Sequence, residues 1–159
     1  MKNVKSIRTG FIVVVSVGLL ISSACLSEPT GPPSPGGKVI VKQSGGAGML
    51  ISECSDKSYI TETADYIIEG TVDRVESRWN EGRTGIFTYT DLSIENYVKG
   101  APFAENTLQI VTPGGTVGGI TQWVEDQPIF HEGKKVRIYF EDVSGEFSIV
   151  CGPFGVEER

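Results

Sequence analysis

The sequence predicts an all-β fold: a small, closed or partly closed barrel of five strands with one short helix. A two-sheet sandwich is the alternative. Three observations carry this reading. Five segments after Leu50 hold β-branched and aromatic residues in period-two alternation. One segment alone has helical spacing, and it is short. Turn-forming residues separate several of the strand segments.

The 159-residue chain begins with Lys2, Lys5 and Arg8, followed by an apolar run from Phe11 to Ile21 and then Ser22-Ser23-Ala24-Cys25. A charged start, a short apolar run and small residues form an export signal. The run is shorter than the roughly 20 apolar residues of a membrane span. Ser22 to Cys25 resembles the lipobox of exported lipoproteins, although Ser22 stands where an aliphatic residue is usual. Residues 1–25 therefore read as a signal peptide with Cys25 as the lipid attachment site. A plain signal peptide cut near Ala24, or an uncleaved N-terminal anchor, is the alternative. One acyl chain binds a membrane only marginally, so stable anchoring takes two, which a diacylglyceryl-type modification of Cys25 supplies. The expected location is the outer face of the cytoplasmic membrane or the cell envelope.

Residues 26–49 read as a flexible tether. LSEPTGPPSPGG holds four of the eight prolines, and QSGGAG adds glycine. Between them, Val39 to Lys42 has the composition of one short strand. Residues 50–159 form the folded domain, large enough for a modest core.

Ser55-Asp56 caps a short helix over KSYITETA, which Asp65 ends. Tyr66 to Val75 is the first strand, with Ile68, Gly70 and Val72 on one face. Asn80 to Gly85 is a turn. Phe87 to Val98 is the clearest long strand, with Thr90, Leu92 and Ile94 on one face. Leu108 to Thr112 is the third, stopped by Pro113. Val136, Ile138 and Phe140 mark the fourth and Phe147 to Cys151 the fifth, joined by a hairpin turn at Ser144-Gly145.

The chain carries 14 Lys and Arg against 20 Asp and Glu. Three of the basic residues fall within the first 24, so the exported part is more acidic still. That argues against nucleic acid as a partner. Glu69, Asp73, Glu76, Asp91 and Glu95 are spread along two strands, mostly on the face opposite the apolar one, and read as a solvated surface rather than an acid/base pair. There is a single histidine, His131. With so few ligands no standard zinc site is expected, and nothing assembles a nucleophile, a base and an orienting group.

If lipid occupies Cys25, Cys54 and Cys151 remain. An even number in an oxidising compartment reads as one disulfide, and two buried thiols are the alternative.

The stretch Pro113 to Gly119 is rich in glycine but lacks the ending of a phosphate loop and the dinucleotide fingerprint. It is either a flexible hairpin or a loop that presents backbone N–H groups to an anion or packs closely on a partner. Trp79 and Trp123 lie in or beside loops. An exposed tryptophan can stack on a sugar or anchor a protein interface; buried, each would close one end of the barrel. Trp79, Gly115, Val117, Trp123 and Phe130 form the expected binding face.

Several segments together resemble the netrin-like module, an OB-fold barrel also seen in tissue inhibitors of metalloproteinases. They are Cys54, then Ala64 to Val72, then Val98-Lys99-Gly100, then Phe130 to Val136 ahead of an aromatic strand, then Ile149 to Gly152. The pattern is closest to uncharacterised exported archaeal and bacterial proteins, which share a segment like Val75 to Asn80. The resemblance implies a five-stranded OB barrel and a Cys54–Cys151 bridge. It does not carry protease inhibition with it. Those inhibitors chelate zinc through the free amine of an N-terminal cysteine, and Cys54 lies behind a tether. The functional expectation is a non-enzymatic, membrane-anchored binding module that needs no cofactor and whose loops contact an envelope protein or a glycan. A structural envelope protein is the second reading.

Overall fold

The computed structural model describes residues 39–43 and 50–159. The export signal, Cys25 and most of the tether lie outside the described residues. Strand β1 covers Val39–Lys42, helix α1 Lys57–Thr63, β2 Tyr66–Trp79, β3 Ile86–Lys99 and β4 Thr107–Pro113. A small ribbon, β5 Gly115–Val117 and β6 Ile120–Gln122, follows. The chain closes with β7 Lys135–Val143, β8 Glu146–Ile149 and β9 Val156–Glu158.

The all-β barrel is present, and it closes with six strands rather than five. Round the barrel the order is β2, β3, β4, β1, β8, β7, and β7 pairs back onto β2. The sixth strand is β1, the short strand inside the tether sequence. It lies parallel to β4 and meets β8 at Val41 opposite Phe147. Val39 and Val41 point inward and are buried, while Ile40 and Lys42 face out. Two inward valines at period two give this segment its place: they fill the gap between β4 and β8. The extra strand β9 pairs with β7 outside the closure.

Strand β2 makes the closure possible because it serves two neighbours. It pairs with β3 along its length and with β7 from Tyr66 to Thr71. Register shifts after Ile67, Glu69 and Val72 curl it. At Gly70 the β3 backbone approaches so closely that any Cβ would collide with the Ser93 carbonyl.

The inward residues are those the alternation marks. Ile68, Val72, Leu92, Leu108, Ile110, Ile138 and Phe140 are fully or almost fully buried in one cluster. The outward face of β2 and β7 has a second, smaller cluster. Helix α1 lays Ile60 and Ala64 over Ile67, Tyr139 and Val150. Its cap is the expected one: the Asp56 side chain accepts a hydrogen bond from the Ser58 amide at 2.8 Å.

Cys54 and Cys151 form a disulfide across 97 residues, with Cα atoms 5.5 Å apart. A loop of that length is worth about 4 to 5 kcal/mol in the chain-entropy account. Cys151 does not end a strand. It follows β8 in a left-handed conformation, φ 56°, and starts the turn into β9.

Candidate functional site

A groove of about 360 Å³ opens where β2 and β4 end and β3 begins. Its roof is the β5–β6 ribbon. Pro113 lacks an N–H and ends the β4 ladder. Gly114 and Gly115, with φ of 96° and 132°, then turn the chain back over the barrel mouth. Gly115 lies against Ser77 and Thr88, where a Cβ would press into both hydroxyls. Only glycine fits there. Gly118 and Gly119 make the two-residue turn of the ribbon, both at positive φ.

Polar contacts clamp this roof. Ser77 Oγ and Thr88 Oγ1 are 2.9 Å apart, and the Thr88 hydroxyl donates to the Gly114 carbonyl at 2.8 Å. The Ile86 amide donates to Gln122 Oε1 at 2.8 Å, and the Gly114 amide donates to the Ile86 carbonyl at 2.8 Å. Thr116 and Thr121 share a 2.9 Å bond across the ribbon.

The other wall is the segment between β6 and β7. Phe130 turns inward and closes the core cluster from this side. Ile129 and Trp123 do the opposite, at 67% and 75% exposure. Val75 forms part of the floor, and its amide donates to Glu132 Oε1 at 2.8 Å. Asp126 packs its carbonyl against Gly152, next to the disulfide, with no room for a Cβ at that glycine.

The structure brings Gly115, Trp123 and Phe130 together around one groove. Trp79 and Val117 do not line it. Trp79 ends β2 opposite Ile86 and is half-buried, and Val117 pairs with Ile120 in the ribbon. Ser77, Thr88, Gln122 and Ile129 also belong to the lining, and Ser77, Thr88 and Ile129 carry no local signal. Ser77 and Thr88 meet only through β2–β3 register. Gln122 had one weak pointer, its place directly before Trp123.

The five strand carboxylates each have a partner. Glu69 accepts from Arg137 and Asn96 and pairs with Arg159. Those contacts, the Arg137 hydrogen bond first, hold its pKa below the usual carboxylate value. Glu95 is lowered in the same way by Lys135 and then Thr71. Asp73 accepts from Ser93, Glu76 pairs with Arg74, and Asp91 accepts from Gln109. His131 sits 3.4 Å from Glu158 on the surface, and Cys54 and Cys151 carry no free thiol. Among the described residues no three His, Cys, Asp or Glu side chains converge as a metal site.

Comparison of the chain with known protein families, with curated proteins and with solved structures returned no match.

Proposed function

We propose that this protein is an exported binding module, held at the membrane through Cys25, that captures an envelope component at the groove end of its barrel. The observation that carries the reading is Trp123, which stands 75% exposed on the wall of a formed groove. A tryptophan left in water exposes a large apolar surface for no gain in the fold of the monomer. Here it is also held on a built support: the ribbon clamped by Gln122 on one side and the Asp126–Gly152 contact on the other. The netrin-like resemblance fits this reading through the barrel alone, and protease inhibition is not part of the proposal.

The test is cross-linking in native membranes with the intact protein as bait and a photoreactive group beside Trp123. The expected result is one stoichiometric envelope species joined near Trp123, with Cys25 lipidated in the same spectra. Self-cross-links alone, or none, overturn the reading and favour a structural spacer.

A further inference from the structure

Every side chain that lines the groove is uncharged. This is unusual in a chain of which 21% is charged. Carboxylates stand nearby in sequence, at Glu125, Asp126 and Glu132, yet none lines the groove. Most of the lining is apolar, from side chains such as Val75, Ile129 and Phe130, and the hydroxyls and amides of Ser77, Thr88, Thr116, Thr121 and Gln122 share the groove with Trp123.

We infer that the groove takes an uncharged polysaccharide segment, an inference that rests on the binding-module reading above. The chemistry of such a chain matches the lining. A pyranose ring has an apolar C–H face, which packs on an aromatic plane, and a rim of hydroxyls. Trp123 offers the plane. The hydroxyls of Ser77, Thr116 and Thr121 are each engaged once and that of Thr88 twice, and each oxygen keeps the capacity to accept a further hydrogen bond. Gln122 uses Oε1 on the Ile86 amide, and that bond leaves its NH₂ group unspent. An anionic polymer would find no cation in the groove and an acidic protein around it. A folded protein partner needs roughly 800 Å² on each side. The groove, at about 360 Å³, is of the size that takes a small ligand or a chain segment.

The experiment measures retention of the full-length protein, in detergent, on native envelopes. The envelopes are pretreated with periodate, which cleaves vicinal diols of glycans, or with protease, or left intact. The expected result is retention that survives protease, is lost after periodate, and persists in high salt and in the presence of excess polygalacturonate. Dextran, mannan and galactan serve as uncharged competitors, and at least one of them displaces the protein. Trp123→Ala weakens retention about ten-fold or more. Trp123→Phe restores most of it, and Trp79→Ala leaves it unchanged. Retention lost after protease and kept after periodate overturns the glycan inference and leaves the binding module standing. Retention lost in high salt, or to polygalacturonate, overturns the uncharged character of the site. No retention of the wild type, or retention indifferent to Trp123→Ala, overturns both readings.

Discussion

The two ends of strand β2 are built in opposite ways. At its start, Tyr66 stacks on Phe140 and Phe103 at ring separations of 5.1 and 5.0 Å. Phe147 meets these rings edge-on, and Tyr97 meets Phe103 in the same way. Gly100, at φ 90°, lets the β3–β4 connection lie directly on the Tyr66 ring. Toward its finish, beyond Val75, Phe130 still turns into the core, but Trp123 points outward. Trp123 is exposed where Phe140 is fully buried. Aromatic surface is all turned to the fold at the first end and is in part withheld from it, at Trp123, at the second. A barrel with one packed end and one open, supported end separates stability from recognition, and that separation is open to measurement.

The largest expected effect comes from the disulfide. Cys54→Ser with Cys151→Ser lowers stability by about 4 kcal/mol in denaturant unfolding. Gly152 follows Cys151 and supports Asp126. Amide exchange should therefore rise more across residues 123–130 than around Tyr66. Equal loosening at both ends would show that the bridge does not anchor the groove. Next comes a pair of truncations. Phe140→Ala at the packed end costs about 3 to 5 kcal/mol. Trp123→Ala at the open end changes unfolding by less than about 0.5 kcal/mol. A large loss from Trp123→Ala would mean that the indole is a structural plug, and the comparison would collapse.

Gly115→Ala tests the roof of the groove. Its backbone is in a region alanine avoids, and the added methyl meets Ser77 and Thr88. We expect a loss of about 1 to 3 kcal/mol, with the shift in tryptophan emission confined to the groove end. The smallest effect is that of acid. Glu69, Glu95, Glu157 and Glu158 all have carboxyl pKa values held below the ordinary value by their cationic partners. A depressed pKa in the folded state stabilises above the unfolded value and loses that contribution as protons bind. Stability should thus be flat near neutrality and decline below about pH 4.5. These pairs are exposed or, for Glu69–Arg137, half-buried, so the decline should be shallow and weaken further with added salt. A steep transition near pH 6 would contradict this assignment.

Much of the barrel was legible because the relevant physics is local. Period-two alternation placed Ile68, Val72, Leu92, Ile138 and Phe140 on the inner face, where they are buried. The Asp56 cap and the Ser144-Gly145 turn depend on residues within a few positions of each other. What was not legible depends on distant pairings. Val39–Lys42 has a strand's composition, but nothing near it announces that β4 and β8 leave room for it. Strand β9 follows a turn around Cys151 whose geometry the disulfide shares. The expected binding face was only partly assembled for the same reason. Gly115, Trp123 and Phe130 are close in sequence and meet. Trp79 was joined to them by residue type, and the β2–β3 register sets it opposite Ile86 instead.

The amino-acid sequence by itself determined the β character, the helix and its cap, the inner face of each long strand and the acidic balance of the chain. Each of these follows from side-chain periodicity, local hydrogen bonding or charge. The Cys54–Cys151 bridge was expected from the cysteine count and is present; only the tertiary structure decided the six-strand closure and the uncharged lining around Trp123. Those arise where segments far apart in sequence come within van der Waals distance. Which side chain then meets which is settled by register and by the space a neighbouring glycine leaves free.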